Sequence, residues 1–227
     1  MSLAVVIPAL DAAGVLRETL MAVAAAMGAG EIVVVDGGSR DGTAVVAAGF
    51  GARVVAAARG RGTQLAAGVA AAGSEWVLLL HADTRLEPGW RAAAEEFMGD
   101  PANAGRAGYF RFALDSEDPR ARRLERMVAW RCRRLGLPYG DQGLLVARET
   151  LASVGGIRAL PLMEDVDLVR RLRRGPGGRL VALAPRAVTS AARWEAEGWY
   201  RRSARNLLCL GLWYAGVPAE VLRRIYG

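Results

Sequence analysis

Four short runs of β-branched and aliphatic residues, at 3–7, 32–35, 53–56 and 76–80, alternate with alanine-rich stretches of helical spacing. No other feature constrains the fold as strongly. A chain that alternates in this way builds a parallel sheet with crossover helices on its faces. Between the first two runs, Val15, Leu16, Leu20, Val23 and Met27 recur at helical spacing and predict one apolar face. Pro8 ends the first strand, Gly28-Ala29-Gly30 ends that helix, and a further helix is expected from Pro88 to the Gly99-Asp100-Pro101 stop. Three right-handed β-α-β crossovers follow, which puts the binding edge at the C-terminal ends of the strands.

The residues at those ends carry the chemistry. After the first strand, Pro8-Ala9-Leu10-Asp11-Ala12-Ala13-Gly14 lacks the G-x-G-x-x-G that brings a backbone up to a pyrophosphate, so a dinucleotide-binding fold is disfavoured. The second strand runs into Asp36-Gly37-Gly38-Ser39-Arg40-Asp41-Gly42-Thr43, a turn leading to a helix capped near Thr43. Asp36 lies at the sheet edge, and a ligand contact and a loop-bracing role are equally consistent with its position. His81-Ala82-Asp83-Thr84 follows the fourth strand, and a carboxylate held there suits a hard divalent cation that also binds phosphate oxygens. Tyr139-Gly140-Asp141-Gln142-Gly143 forms a polar loop. Glu164 and Asp165 open a helix, where the dipole favours their ionised forms and capping is as natural a role as catalysis.

The second half is less regular. A strand is expected over 109–114, a basic amphipathic helix over 120–135 buried through Leu124, Met127 and Val128, and a further helix over 164–174. From Trp194 onward come two arginine-studded aromatic segments broken at Gly216-Val217-Pro218. Residues 1–118 hold 9 Arg against 14 acids, net −5, and residues 119–227 hold 21 Arg against 9, net +12. Such a basic half faces phosphates, nucleic acid or anionic lipid, or simply carries solvated helix faces. The only two cysteines, Cys132 and Cys209, have neither metal nor redox spacing and read as free thiols in a reducing compartment. No leader pattern opens the chain, and the longest uncharged stretch, 206–219, is 14 residues where spanning a bilayer takes about 20. The expectation is a cytoplasmic protein. In the last segment, Trp199, Tyr200, Leu207, Leu208, Leu212, Trp213 and Tyr214 either pack over the site or a second subunit, or lie on an anionic inner membrane surface.

Taken in order, the Ile7-Pro8 opening, the stretch from Val34 to Thr43, His81 to Thr84 and the late Glu164-Asp165 pair resemble the family 2 glycosyltransferases of the GT-A fold. Gly60-Arg61-Gly62-Thr63-Gln64, Tyr139 to Gln142 and Arg193-Trp194 resemble a small bacterial branch of that family. The resemblance implies one GT-A domain over 1–227: a nucleotide-binding α/β half (1–100), an acceptor and catalytic half (101–190) and a helical C-terminal extension (191–227). It further implies a hexosyltransferase-type enzyme of class EC 2.4 that inverts configuration, with a UDP- or GDP-sugar donor and a hydroxyl acceptor, lipid-linked acceptors and a homo-oligomer being compatible with it. By the same resemblance, Pro8, Ala9, Asp11, Asp36, Arg61, His81 and Ala82 serve the donor nucleotide, and Asp83 binds Mn²⁺ or Mg²⁺ bridging the diphosphate. Asp165 is the general base, with Glu164 beside it, and Tyr139, Gly140, Asp141, Gln142 and Trp194 line the acceptor side. The chain departs from the common pattern at Asp11-Ala12, where Asn-Glu is usual, at Gly37, at His81 in place of the first Asp of D-x-D, and at Ala66. Two other classes stand beside this one: a sugar-nucleotide-binding protein without turnover, and a basic nucleic-acid-binding protein, which the absence of any recognised reading motif disfavours.

Overall fold

The computed structural model describes residues 1–28 and 30–226. Its first half follows the predicted alternation: β1 (Leu3–Ala9), α1 (Ala13–Met27), β2 (Glu31–Asp36), α2 (Thr43–Gly49), β3 (Arg53–Ala56), α3 (Arg61–Ala71) and β4 (Trp76–Leu79). These four strands pair in parallel, β1 lying between β2 and β4 and β3 outside β2. Successive β1 residues serve opposite faces, Ala4 and Val6 in one core cluster and Val5 and Ile7 in the other. Both faces are covered by helices, which explains why the strand reads as continuously apolar rather than alternating.

The second half begins with β5 (Thr84–Leu86), α4 (Trp90–Gly99), β6 (Ala107–Leu114), α5 (Pro119–Leu135), β7 (Leu144–Ala147), α6 (Arg148–Ser153), α7 (Glu164–Arg174) and β8 (Val181–Thr189). It completes an eight-stranded sheet of order β3-β2-β1-β4-β7-β6-β8-β5. β7 is antiparallel to both β4 and β6, whereas β6 and β8 are parallel with a register shift between Phe110 and Arg111. The chain closes with α8 (Ala192–Glu197), α9 (Trp199–Tyr214) and α10 (Ala219–Tyr226).

Three expectations need correction. Val15 is 42% exposed and Met127 is 56% exposed. Each lies one residue, about 100° of helix, from the buried row, which is Leu16, Leu20, Val23 and Met27 in α1 and Ala121, Val128 and Cys132 in α5. Leu124 is partly buried against the core, as expected. The helix expected from Pro88 begins instead at Trp90, because Gly89 takes a left-handed turn at φ 88°. The stop at Gly28-Ala29-Gly30 includes Ala29, which lies outside the described residues, as does Gly227; α1 itself ends at Met27. Cys132 and Cys209 are both buried and free.

Gly68 lets α3 lie directly on β1 and β2: a Cβ there would sit 2.3 Å from Val6 Cγ1 and 2.7 Å from Val35 Cγ2. Overpacking of this kind destabilises by about 1–3 kcal/mol, more than the ~1 kcal/mol that alanine gains over glycine in a helix. Gly68→Ala is therefore expected to lower the thermal midpoint by a few degrees, measurable by calorimetry, despite its better helix propensity.

Candidate active site

The loops after β1 and β2 are cross-braced into one floor. Asp11, with φ 46°, donates its backbone N–H to Ser39 Oγ at 2.9 Å and accepts the Arg40 N–H on its carboxylate at 2.8 Å. The Asp36 carboxylate accepts the Ser39 N–H at 3.1 Å and also the Ser39 hydroxyl. Asp41 accepts from Thr43 N–H at 3.0 Å and from Ala13 N–H at 2.9 Å. Buried Gln64, on the first turn of α3, donates to Ala9 O at 2.7 Å and Val35 O at 2.8 Å, tying both strand ends to the helix. Its amide fills the space beside Gly37, where a Cβ would approach to 3.0 Å. The absence of a side chain at Gly37 is thus a packing requirement of Gln64.

Above this floor lies a cleft of about 530 Å³. Pro8, Ala9 and Asp11 line one side, His81, Ala82 and Asp83 another, and Arg59, Arg61, Arg193 and Arg223 project cationic side chains around it. Asp36 is not among its lining residues, so its carboxylate holds the loop behind the cleft wall. Arg61 is fixed by Glu164, whose carboxylate lies 3.1 Å away and is 2% exposed. Burial opposes the Arg61 charge, but Glu164, Asp165, Tyr226 and Asp83 outweigh it and hold the guanidinium above its ordinary pKa. Burial pushes Glu164 up, and Arg61 pulls it back. Glu164 is therefore a positioning group for Arg61.

The cleft opens into a smaller chamber of about 120 Å³ bounded by Asp83, Asp141, Asp165 and Trp194, with Arg61, His81, Arg193 and Tyr226 common to both spaces. Met163, the second non-glycine residue at positive φ (65°), turns the chain into α7 and sets Asp165 at the chamber wall. One Asp165 oxygen accepts the Val166 N–H at 2.8 Å and the other the Gly140 N–H at 2.8 Å. Asp165 is not the cap foreseen from sequence: the N-cap of α7 is Met163 and no side-chain cap bond is made there, so the first bond lies within the opening turn, and the second ties Asp165 to the polar loop. Four lone-pair positions on a carboxylate leave room for a substrate hydroxyl beside these two donors.

At Gly140 backbone and side chains meet closely: a Cβ there would lie 2.6 Å from His81 Nε2 and 3.4 Å from Asp165 Oδ2. His81 Nε2 is buried with no hydrogen-bond partner. Burial, and then repulsion from Arg61 and Arg193, hold its pKa well below the usual value, so the imidazole is neutral at physiological pH. Asp141 is pushed up to about 6 by burial, with Asp165 and Asp83 adding to the effect and Arg131 and Arg61 opposing it. Tyr139, stacked 3.4 Å below the Arg131 guanidinium, is raised to about 12 by burial. Gln142 does not reach the chamber. It is 1% exposed, accepts from Tyr139 N–H at 3.2 Å and donates to Phe110 O at 3.1 Å, so it anchors the loop that carries Gly140 and Asp141.

The metal implied by the sequence resemblance can be tested against this geometry. Among the described residues no three His, Cys, Asp or Glu side chains converge as a protein-only metal cage. The Asp83 carboxylate makes no hydrogen bond to another described residue and faces the cleft. That arrangement fits a hard cation taking one protein carboxylate and most of its oxygens from a diphosphate and water.

Arg59, Gln64, Arg193, Asn206, Arg223 and Tyr226 were not foreseen as site residues. Arg193, Asn206, Arg223 and Tyr226 arrive from the C-terminal segments, where Arg202 reaches the Tyr226 hydroxyl at 3.1 Å and holds α10 against the site. Some of the arginines are paired internally, Arg122, Arg171 and Arg186 with Glu125, Asp167 and Glu87. The aromatic residues of α9 divide, Trp199 buried and Trp213 packed beside the Met163–Leu222 cluster, Tyr200, Leu207, Leu208 and Tyr214 exposed. Among the described residues no helix is long and apolar enough to cross a membrane.

The sheet order and the loops at its parallel edge define an α/β domain of the GT-A architecture. Residues 4–154 match the family model described as glycosyl transferase family 2, and the chain belongs to that family. No curated protein matches the sequence. Among solved structures, one of Mycobacterium tuberculosis glucosyl-3-phosphoglycerate synthase in complex with Mn²⁺, UDP-glucose and phosphoglyceric acid aligns with TM-score 0.61 at 19% identity, covering 82% of this chain and 71% of that one. Residues 1–349 of Staphylococcus aureus TarS align with TM-score 0.66 at 13% identity over 100% of this chain and 69% of theirs. A mycobacterial protein aligns with TM-score 0.63 at 20% identity over 83% of this chain. The chain spans 66% of that mycobacterial structure and 39% of a longer TarS structure.

Proposed function

We propose that the protein transfers a sugar from a UDP- or GDP-sugar to an acceptor hydroxyl with inversion at the anomeric carbon. The observation that carries this reading is the continuous path from an arginine-ringed cleft of diphosphate size, past the free Asp83 carboxylate, to Asp165 in the adjoining chamber. Pro8, Ala9 and Asp11 bind the nucleoside end, and Asp36 keeps their loop in place through Ser39. Arg61, held by Glu164, and Arg193 bind the diphosphate. The structures of glucosyl-3-phosphoglycerate synthase with UDP-glucose and Mn²⁺ support a donor of this class.

In the reaction, the acceptor oxygen forms a bond to the anomeric carbon as the bond from that carbon to the diphosphate oxygen breaks. The electron pair of the broken bond leaves on the nucleoside diphosphate, and the hydroxyl proton passes to Asp165. Asp83 would hold a divalent cation, which when bound would supply Lewis-acid neutralisation of the diphosphate charge. Arg61 and Arg193 stabilise the same growing charge. Neutral His81, pressed against Gly140, keeps the polar loop and Asp165 in fixed relation, so both reactants are held in line.

Isothermal titration of UDP and GDP, with and without Mn²⁺, tests the donor assignment. One nucleotide is expected to bind tighter with Mn²⁺, and Asp83→Ala is expected to lose that gain, about tenfold or more in Kd, each tenfold being about 1.4 kcal/mol. Binding of neither nucleotide to the wild type would defeat the donor reading. Equal Mn²⁺ dependence in wild type and Asp83→Ala would defeat the role given to Asp83.

A further inference from the structure

A third space, of about 450 Å³, runs between α5 and α9 on the far side of the chamber. Its walls are largely apolar: Leu124, Met127 and Val128 come from α5, Leu207 and Leu210 from α9, and Phe112 from β6. Met127 is 56% and Leu207 55% exposed, and neither is needed to fill the core. The groove adjoins the catalytic chamber, Tyr139, Asp141, Trp194 and Asn206 lining both. At that junction the Asp141 Oδ1, the Asn206 amide oxygen and the Trp194 indole N–H are all buried without a hydrogen-bond partner among the described residues. Buried polar atoms are ordinarily paired, and two acceptors with one donor are what a hydroxyl-bearing head group satisfies.

We propose that the acceptor is amphipathic: its hydroxyl head sits between Asp141, Trp194 and Asn206 beside Asp165, and its apolar chain lies along the α5–α9 groove. This rests on the transferase reading above and names the acceptor class for it. A small polar acceptor has no use for an apolar groove that adjoins the chamber at Asp141 and Trp194. The volume falls within the range of about 300–1,000 Å³ usual for ligand sites, and its mix of apolar walls with a few convergent polar groups is the usual one. Arg123 and Arg126 flank the groove, where their aliphatic stems extend its apolar surface while the guanidinium groups stay in water.

The test is calorimetric binding of a 1-alkyl β-glucoside series from butyl to decyl, below micelle-forming concentrations, to the full chain, with nucleotide and Mn²⁺ titrated on the same samples. Affinity is expected to rise with chain length, by up to about fourfold per buried methylene. Met127→Glu and Leu207→Glu, both at exposed positions that tolerate charge, are expected to flatten that dependence while changing nucleotide affinity less than about twofold. Asn206→Ala is expected to weaken every member by about fivefold, one hydrogen bond's worth, without changing the slope. Affinity independent of chain length, or a dependence that survives both glutamate variants, overturns the proposal. So does a dimer that Met127→Glu disperses in place of glucoside binding, which would make the groove a contact between copies. Nucleotide binding without chain-length dependence removes the groove assignment and leaves the donor reading standing. Chain-length dependence without nucleotide binding does the reverse.

Discussion

Asp165→Asn is expected to lower kcat by about 10²–10⁴-fold, the range over which a positioned general base contributes, while leaving nucleotide affinity and folding essentially unchanged. The asparagine carbonyl can still accept the Gly140 N–H that Asp165 accepts at 2.8 Å, while the bond from the Val166 N–H is lost because the amide nitrogen does not accept. The helix start does not depend on the lost charge, since Met163 and not Asp165 is the N-cap. What disappears is proton affinity at the chamber wall. Steady-state kinetics with a donor identified by titration measure it, and an unchanged kcat would move the base elsewhere, with Asp141 next in line. Gly140→Ala provides the matching positional experiment. Its Cβ would have to sit 2.6 Å from His81 Nε2, so the loop must shift and carry the Gly140 N–H away from Asp165. A displacement near 1 Å at such a site lowers the rate by about 10²-fold. The two variants thus separate loss of the base from its misplacement, because Gly140→Ala retains a titratable carboxylate and keeps a pH-dependent residual rate.

The parts of this site that were legible from sequence share one property: they depend on local order. Asp11, Asp36 and His81 to Asp83 sit at strand ends because runs of Val, Ile and Leu fix where strands stop, and in a parallel sheet all those ends share one edge. Asp165 follows from a helix start that its own acidic turn announces. Individual roles were harder to assign from sequence. On position alone Asp36 stood undecided between ligand and brace, and its carboxylate accepts two bonds from Ser39 that brace the loop. Gln142 has the same composition signal as Asp141 one residue earlier, yet a single step along the 3-10 turn aims it at Phe110 and not the chamber. Asn206 and Tyr226 were out of reach because nothing local records that α9 and α10 fold back onto the first half. That return is set by the burial of Cys209 and Leu222 against Met163 and Val166, a contact between segments more than 40 residues apart in sequence. β5 was missed for a related reason, since three residues carry too little periodicity and owe their pairing to Thr189 and its neighbours in β8.

Asp141→Asn is expected to make the protein more stable at alkaline pH, in a protein free of divalent cations. In the folded chain its carboxyl is pushed up to about 6, from an ordinary value of 3.8, chiefly by burial. The folded state therefore holds a proton that the unfolded chain has released. The stability this proton provides is complete below about pH 4 and is lost as pH rises through about 6. Near pH 8 the ionised form carries a penalty of about 2–3 kcal/mol, two units of displacement at ~1.4 kcal/mol each, which an uncharged amide of the same shape avoids. The difference between variant and wild type in urea-unfolding free energy should then be small near pH 4 and grow toward about 2–3 kcal/mol near pH 8. His81 contributes in the opposite sense, since its depressed pKa makes stability fall as pH drops below about 6.5, but it is present in both proteins and cancels in the difference. A constant difference across the range would mean that Asp141 ionises freely. A growing one would establish a carboxylate held at energetic expense beside Asp165, with an oxygen that no described residue satisfies. Stability sacrificed at such a position is the usual signature of a group kept for its ligand, and the same variant should bind alkyl glucosides more weakly as it folds more firmly.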